Sequence, residues 1–395
     1  MQQSESLEKL KVQACQEALS RHDEIVVDTL MGTNKLPVLI HRLITLEAFR
    51  HNILPEFFKS DIDDVTAIKL YLILYQETTV FTILLTSFYQ LSAIESVMDF
   101  LVEICDYCHR RLLTLNSGLS YPDGEHNRSS MELEPVLARL NRQKRTMEFG
   151  LCADAISMIR LISDHIDSLP LGLVTRMLNR QDILLSLVTV LDSGVFNRRE
   201  EGKVEKFSDQ EWRPVQGNDQ FKLTRLEGNI WIAIYNFTMS PTCRQKFELD
   251  EYRLETLLKL KRFFNEILID QLPMLEGVWR TVEQLSIAGL PNNSWKSSGL
   301  LIEQVADIYA STLGLNYSDI AVQLFEKFFK PEHIKSELSQ MADFFDEESY
   351  STINKCMNCS RDADKRCSIC KKVWYCSRQC QVDAWPNHKT DCRTH

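Results

Sequence analysis

The chain has 395 residues, too long for one ordinary core, so two or three units are expected, one of them extended. Lys and Arg total 45 against 55 Asp and Glu, a net charge of −10, yet from Lys355 to His395 nine basic residues face four Asp, making a mildly basic tail (+5) on an acidic body. The first thirty residues are charged, with none of the apolar core a signal peptide needs, and no uncharged apolar run reaches eighteen residues, which argues against export or a membrane span.

Seven of the twelve cysteines lie in the tail, and Cys15, Cys105, Cys108, Cys152 and Cys243 are scattered through helix-like contexts as buried thiols would be. A soluble protein of a reducing compartment is therefore expected. The Asn-x-Ser/Thr matches at Asn127, Asn236, Asn292, Asn316 and Asn358 are read as chance.

From Ser4 to about Asn116 the pattern is helix after helix, with apolar residues at three- and four-residue steps in Leu36 to Phe58, Val65 to Leu91 and Ile94 to Leu115. Pro37 and Pro55 fall near the ends of the first of these, where proline does least harm. The stretch 116–130 is rich in Gly, Pro, Ser and Asn and reads as a loop. A long helix follows, from about Met131 to Ser163. Leu171 to Leu178 and Ile183 to Leu191 form a tight pair ended by Gly194, similar to one unit of an armadillo- or HEAT-like array. The segment 193–227 breaks the helical pattern and reads as a loop with a small hairpin. Helices resume at Gly228 and across Leu254 to Leu272. A break at 289–299 precedes expected helices over Leu300 to Leu313 and Asp319 to Phe329, with Pro331 opening another. The acidic stretch 343–355 reads as a linker. The expected organisation is thus a mainly α, armadillo/HEAT-like body over 1–342, that linker, and a small module over 356–392.

The body offers no catalytic candidate. Cys105-Asp-Tyr-Cys108-His109 has the C-x-x-C-H pattern of haem attachment but lies inside an amphipathic helical run, and His41, His51 and His165 occur singly, as surface or packed histidines do. No glycine-rich phosphate loop, nucleophile elbow or H-E-x-x-H pattern occurs.

The tail spacing runs Cys356-x2-Cys359, x7, Cys367-x2-Cys370, x5, Cys376-x3-Cys380, x7, His388-x3-Cys392. Two-residue gaps suit a knuckle aiming two thiolates at one metal, and three-residue gaps place both ligands on one face of a helical turn. Eight ligands make two tetrahedral sites, and thiolates with one imidazole favour Zn2+ and leave no open position, so both are expected to be structural. A disulfide cluster would leave the seventh cysteine unpaired. About forty residues hold too little apolar material to fold unaided, so the metal must supply much of the stability.

Together with Cys370-Lys-Lys-Val-Trp-Tyr-Cys376-Ser-Arg-Gln-Cys380-Gln and Trp385-Pro-Asn-His388, this ligand string resembles a MYND zinc finger. The resemblance implies interleaved sites: one zinc on Cys356, Cys359, Cys376 and Cys380, the other on Cys367, Cys370, His388 and Cys392. It also implies a shallow groove for proline-containing peptides, with Ser368, Gln381 and Trp385 at the matching positions. An aromatic ring beside an amide suits an apolar anchor plus a backbone hydrogen bond, although Trp385 could equally fill the module's own core.

The body carries a wider resemblance. A Lys-Leu-x6-Glu-Ala-Leu-like beginning, Asp106-Tyr-Cys-His-Arg-Arg111, Asn197-Arg-Arg-Glu200, Trp231-Ile-Ala-Ile-Tyr-Asn236 and Asp270-Gln-Leu-Pro273, ahead of the C-terminal finger, are similar to the MYND-type dynein-arm assembly factors of ciliated cells, the BLU family. That resemblance implies a non-enzymatic cytoplasmic adaptor, concentrated near the centrosome or ciliary base. Its implied partners are a leucine-rich-repeat assembly factor, heat-shock chaperones and co-chaperones, and axonemal dynein subunits as clients. The rival reading is a transcriptional co-repressor adaptor recruiting peptides through the finger; no block of five or more basic residues supports a nuclear address. A SET-MYND methyltransferase would place its finger inside a β-rich catalytic domain, whereas here it ends a helical chain, and a +5 module without an obvious recognition helix would hold nucleic acid only loosely.

Overall fold

A computed structural model describes residues 2–20, 25–60, 62–119, 135–200, 202–290, 304–329, 356–359, 361, 363, 365–366 and 373–392. The chain divides into two compact units, Gln2–Lys327 and Phe328–His395. The expected linker at 343–355, the helix opened by Pro331 and most of the loops at 116–130 and 289–299 lie outside the described residues.

The larger unit is mainly α, as its leucine-rich, glycine-poor sequence implies, and its helices recur in threes. The first layer is Ile25–Gly32, Leu36–Ala48 and Asp64–Ser87; the second Leu91–Ser96, Leu101–Asn116 and Val136–Ser163. Leu171–Thr175, Ile183–Ser193 and Arg225–Met239 make the third, and Pro241–Lys246, Glu251–Leu258 and Glu276–Ala288 the fourth. Middle helices pack on middle helices and third helices on third helices from layer to layer, while Gln2–Ser20 covers the Asp64–Ser87 helix. Three helices per layer is the armadillo form of a helical repeat. One continuous core runs through all four layers, from Ala14 and Val26 to Val278 and Val282.

This corrects the unit expected from sequence. The Ile183–Ser193 helix, capped by Gly194 in the left-handed conformation (φ 61°), packs most on Leu101–Asn116 of the layer before, and within its own layer it meets Arg225–Met239 across an intervening insertion. That insertion, the segment 193–227, is more than a loop: Asn197–Glu200, Lys203–Ser208 and Glu211–Val215 form an antiparallel sheet in that order. Phe207 of the middle strand is buried and meets Phe149 of the Val136–Ser163 helix edge-on, with ring centroids 4.9 Å apart, and Phe196 and Trp212 complete the cluster. The sheet is thus anchored by aromatic burial, worth ~1.5–3 kcal/mol for such a side chain. Its second hairpin turns on Asp209 and Gln210, both at positive φ (51° and 66°), as a two-residue primed turn requires.

Two expected helices are shorter in the fold. Leu254 to Leu272 breaks into Glu251–Leu258, a tight turn at Lys259–Arg262 and Glu266–Gln271, because Asn265 takes extended backbone and caps the last piece, its side chain accepting from Leu268 N. Leu300 to Leu313 is helical among the described residues only at Asp307–Ser311, since Ala306 leaves the helical region (φ −81°, ψ 80°) and the Glu103 carboxylate receives Ile308 N at 2.6 Å and Tyr309 N at 3.2 Å.

The Asp64–Ser87 helix is long and apolar enough to cross a membrane by composition, yet it packs against Leu36–Ala48, Val136–Ser163 and Gln2–Ser20 and carries buried Glu77. Glu77 pairs with Arg50, donated from the first layer's middle helix (Nε–Oε2 2.7 Å, Nη2–Oε1 3.0 Å), and Arg50 also reaches Glu148 of the second layer at 2.6 Å. Tyr107 Oη donates to Glu77 at 2.9 Å, and Arg110 and Arg111 hold Glu47. Burial alone would push Glu77 up, but Arg50 outweighs it and holds the carboxyl below its ordinary value. Pro55 explains how Arg50 comes to sit there. Lacking an N–H, it cannot bond back to His51, and the helix widens over Phe49–Ile53, where Leu54 N bonds Phe49 O.

Cys105 and Cys108 are buried, and burial pushes both thiols up, so the C-x-x-C-H segment is core packing.

Candidate zinc module

The C-terminal module is organised by one helix, Arg378–Cys392, and a short antiparallel pair, Lys365–Arg366 with Trp374–Tyr375. Ser377 starts the helix, its Oγ accepting from Cys380 N at 3.2 Å, which satisfies one of the free amides of the first turn. Cys380, Ala384, His388 and Cys392 then recur at four-residue steps, and all four are buried. They form the stripe that faces the rest of the module. Pro386 sits inside the helix and leaves the Val382 carbonyl without its helical partner.

Cys356 is carried to the same place by pairing with Trp374: Met357 N bonds Trp374 O at 2.9 Å, and Cys356 N bonds Arg361 O at 2.7 Å. The sulfurs of Cys356, Cys359, Cys376 and Cys380 all lie within 4.8 Å of one another. Individual separations are 3.4 Å for Cys359–Cys376, 3.5 Å for Cys376–Cys380 and 3.8 Å for Cys359–Cys380. A tetrahedron with zinc about 2.3 Å from each thiolate has edges of about 3.8 Å. The donor set fits zinc in number, softness and spacing.

The surroundings favour thiolate at Cys356 and Cys359. Burial works against the charge of Cys356, but the amides of Cys376, Cys359 and Asn358 outweigh it and bring it down to about 6. Cys359 is lowered by the backbone and side chain of Arg361. Cys376, hydrogen-bonded to Cys359 and Cys380, is pushed up to about 12 by those contacts. A metal would take its proton's place.

His388 and Cys392 are buried further along the helix. His388 lies eight positions beyond Cys380, about 12 Å of helical rise. They therefore cannot join the four-sulfur cluster and need other partners. Cys367, Cys370 and Ser368 lie outside the described residues. Gln381 and Trp385 are half-buried on adjacent turns of one face. Trp385 packs against the small core of Cys356, Tyr375, Cys380, Ala384 and Cys392, with its ring 5.9 Å from His388 in a T-shaped contact. One part of the ring thus serves the module and the rest stays accessible. Sequence reasoning missed Tyr375, buried between His388 and Met357 (Oη–Sδ 3.8 Å), and the supporting roles of Arg361 and Ser377. An aromatic residue directly before a ligand was the signal for the first.

Residues 356–392 match the family model described as MYND finger. The chain ends in a MYND finger. It is similar along nearly its whole length to the zinc finger MYND domain-containing protein 10 homolog of Drosophila melanogaster, 27% identical over 417 aligned positions that cover 97% of this chain and 91% of that protein. Two other likenesses are much shorter. Deformed epidermal autoregulatory factor 1 of Drosophila melanogaster is 47% identical over 38 residues, 10% of this chain and 7% of that protein. The histone-lysine N-methyltransferase Smyd1 of Mus musculus is 40% identical over 70 residues, 17% of this chain and 14% of the enzyme. No solved structure matches the chain. What this chain shares with the methyltransferase is a small part of the enzyme, while what it shares with the MYND domain-containing protein 10 homolog includes the helical array.

Proposed function

We propose that this protein is a non-enzymatic cytoplasmic adaptor and co-chaperone in the folding and preassembly of axonemal dynein arms. The observation that carries this reading is the likeness over 97% of the chain to a MYND domain-containing protein 10 homolog, array and finger together. An armadillo-type array offers an extended surface for a client or chaperone. The finger docks a second partner, for which we take a leucine-rich-repeat assembly factor.

Within the finger, one zinc is assigned to Cys356, Cys359, Cys376 and Cys380 and a second to Cys367, Cys370, His388 and Cys392. The distance along the helix between Cys380 and His388 supports two separate ions. Both are structural, holding the shape on which Ser368, Gln381 and Trp385 present a peptide groove. The exposed part of the Trp385 ring supplies an apolar anchor and Gln381 an amide on the same face.

Affinity purification from ciliating cells, read by mass spectrometry, tests the assignment. Dynein chains and chaperones are expected, and a set of chromatin proteins instead would install the co-repressor reading. Trp385→Ala is expected to keep both zincs while losing the finger's partner; loss of zinc with the partner would remove Trp385 from the groove.

A further inference from the structure

The helical array holds a second site, remote in sequence from the finger. A cavity of about 520 Å³ opens between the helices Leu36–Ala48 and Leu101–Asn116 and the residues 309–317 that return across them. Its polar lining has more donors than acceptors. His51 Nε2 faces two guanidiniums, Arg111 Nη2 at 2.8 Å and Arg50 Nη1 at 3.2 Å. Arginine can only donate, so Nε2 must accept and the ring proton must sit on Nδ1. Burial and the two arginines hold the imidazole neutral, down to about 3. Arg110 spends Nε and Nη2 on Glu47 (3.0 and 2.6 Å), leaving Nη1. Arg111 is fully buried, and its Nε and Nη1 are closed off from the cavity. A carboxylate, which only accepts, matches the donors left over on His51 Nδ1 and Arg110 Nη1.

The mouth of the cavity is apolar. Leu113, Leu313 and Leu315 are 50%, 61% and 49% exposed around it, and the Tyr309 ring lies 3.8 Å beneath the Arg110 guanidinium. A small carboxylate would fill the floor and leave this rim in water. A chain that continues outward would cover it.

We propose that this cavity is a docking site for the C-terminal carboxylate of a partner polypeptide whose last residues are apolar, received by His51 Nδ1–H and Arg110 Nη1 and enclosed by the leucine rim. It is independent of the finger.

The test uses the full chain and fluorescein-labelled hexapeptides ending in Leu, Ile, Val or Phe, each as free acid and as amide, with 4-phenylbutyrate as the small carboxylate. At least one free acid is expected to bind tenfold or more tightly than its amide. Leu313→Asp, at an exposed position outside the charge network, is expected to weaken that peptide tenfold, and Arg110→Met to do the same. Should Arg110→Met fail to fold, the amide pair and Leu313→Asp still decide. Equal binding of acid and amide, no binding by any peptide, indifference to Leu313→Asp, or binding of 4-phenylbutyrate alone would each overturn the proposal.

Discussion

Replacing Arg50 by Met would expose what the buried charges between the first two layers contribute. Arg50 has only 2% of its side chain exposed and bonds Glu77 (1%) and Glu148 (11%) at 2.7 and 2.6 Å. Methionine fills much of the volume but leaves both carboxylates without their guanidinium; Glu77 keeps only Tyr107 Oη at 2.9 Å. Removing one partner of a buried pair costs about 3–5 kcal/mol. The cost should depend on pH, and the sign follows from Glu77. In the native protein its pKa is depressed, so its stabilisation is present above the unfolded value of about 4.3 and is lost as pH falls through the folded value. In Arg50→Met, burial, the largest influence on Glu77, is opposed only by the charge of Arg111 and the Tyr107 hydrogen bond, and the folded pKa rises. The variant then loses stability as pH climbs above about 4.3, because ionising Glu77 in the core becomes costly. Urea unfolding of both proteins at pH 4.5 and 7.5, followed by far-ultraviolet circular dichroism, measures the gap. The gap should already be present at pH 4.5, where the native Glu77 is ionised beside Arg50, and should widen to about 3–5 kcal/mol or more at pH 7.5 as ionising Glu77 becomes costly in the variant. A gap under about 1 kcal/mol at pH 7.5, or one that does not move with pH, would refute the account of Glu77 as a carboxylate held ionised by Arg50.

Two further outcomes are expected. Cys380→Ser removes one corner of the sulfur cluster; with apparent zinc stabilisation of about 10–16 kcal/mol shared by four ligands, roughly 3 kcal/mol or more goes with each, so the zinc-to-protein ratio by mass spectrometry should fall while the helical signal of the array persists. Asp154, beside the hairpin turn and receiving Gln210 Nε2 at 2.8 Å, is pushed by burial up to about 7. Its contribution is thus full below about 3.9 and lost as pH rises toward 7, and Asp154→Asn should flatten that part of the stability profile; an unchanged slope between pH 4 and 7 would count against it.

The finger was legible because metal ligation fixes residue type and spacing together; that Cys356, Cys359, Cys376 and Cys380 share one site came from the family resemblance, since spacing alone does not say which ligands interleave. The helical class of the body was legible from its periodicity. The repeat unit was not, because Ile183–Ser193 meets Arg225–Met239 across a three-stranded sheet, and spacing in sequence does not report such pairing. The Arg50–Glu77 core was hidden for a related reason: glutamate inside an apolar run looks like an interruption until its partner is known. His51 is exposed, as a surface histidine would be, but nothing in the sequence reveals that Arg111, from another helix, joins its neighbour Arg50 at its Nε2. Asn265 ended a helix that leucine periodicity alone would have continued, and capping residues of this kind are recognisable only when the break is already suspected.

The return of residues 304–327 across the array has a mechanical meaning. Gln304 O meets Arg176 in the third layer, Tyr309 meets Arg110 in the second, and Phe325 meets Phe57 beside the first in a tilted contact, 5.8 Å between ring centroids. A stack of repeats joined only to its neighbours behaves as a spring that can open one coil at a time. Here a single splint crosses three coils, so bending or twisting any of them works against the other two, and the fourth layer, beyond the reach of these contacts, is left as the compliant end.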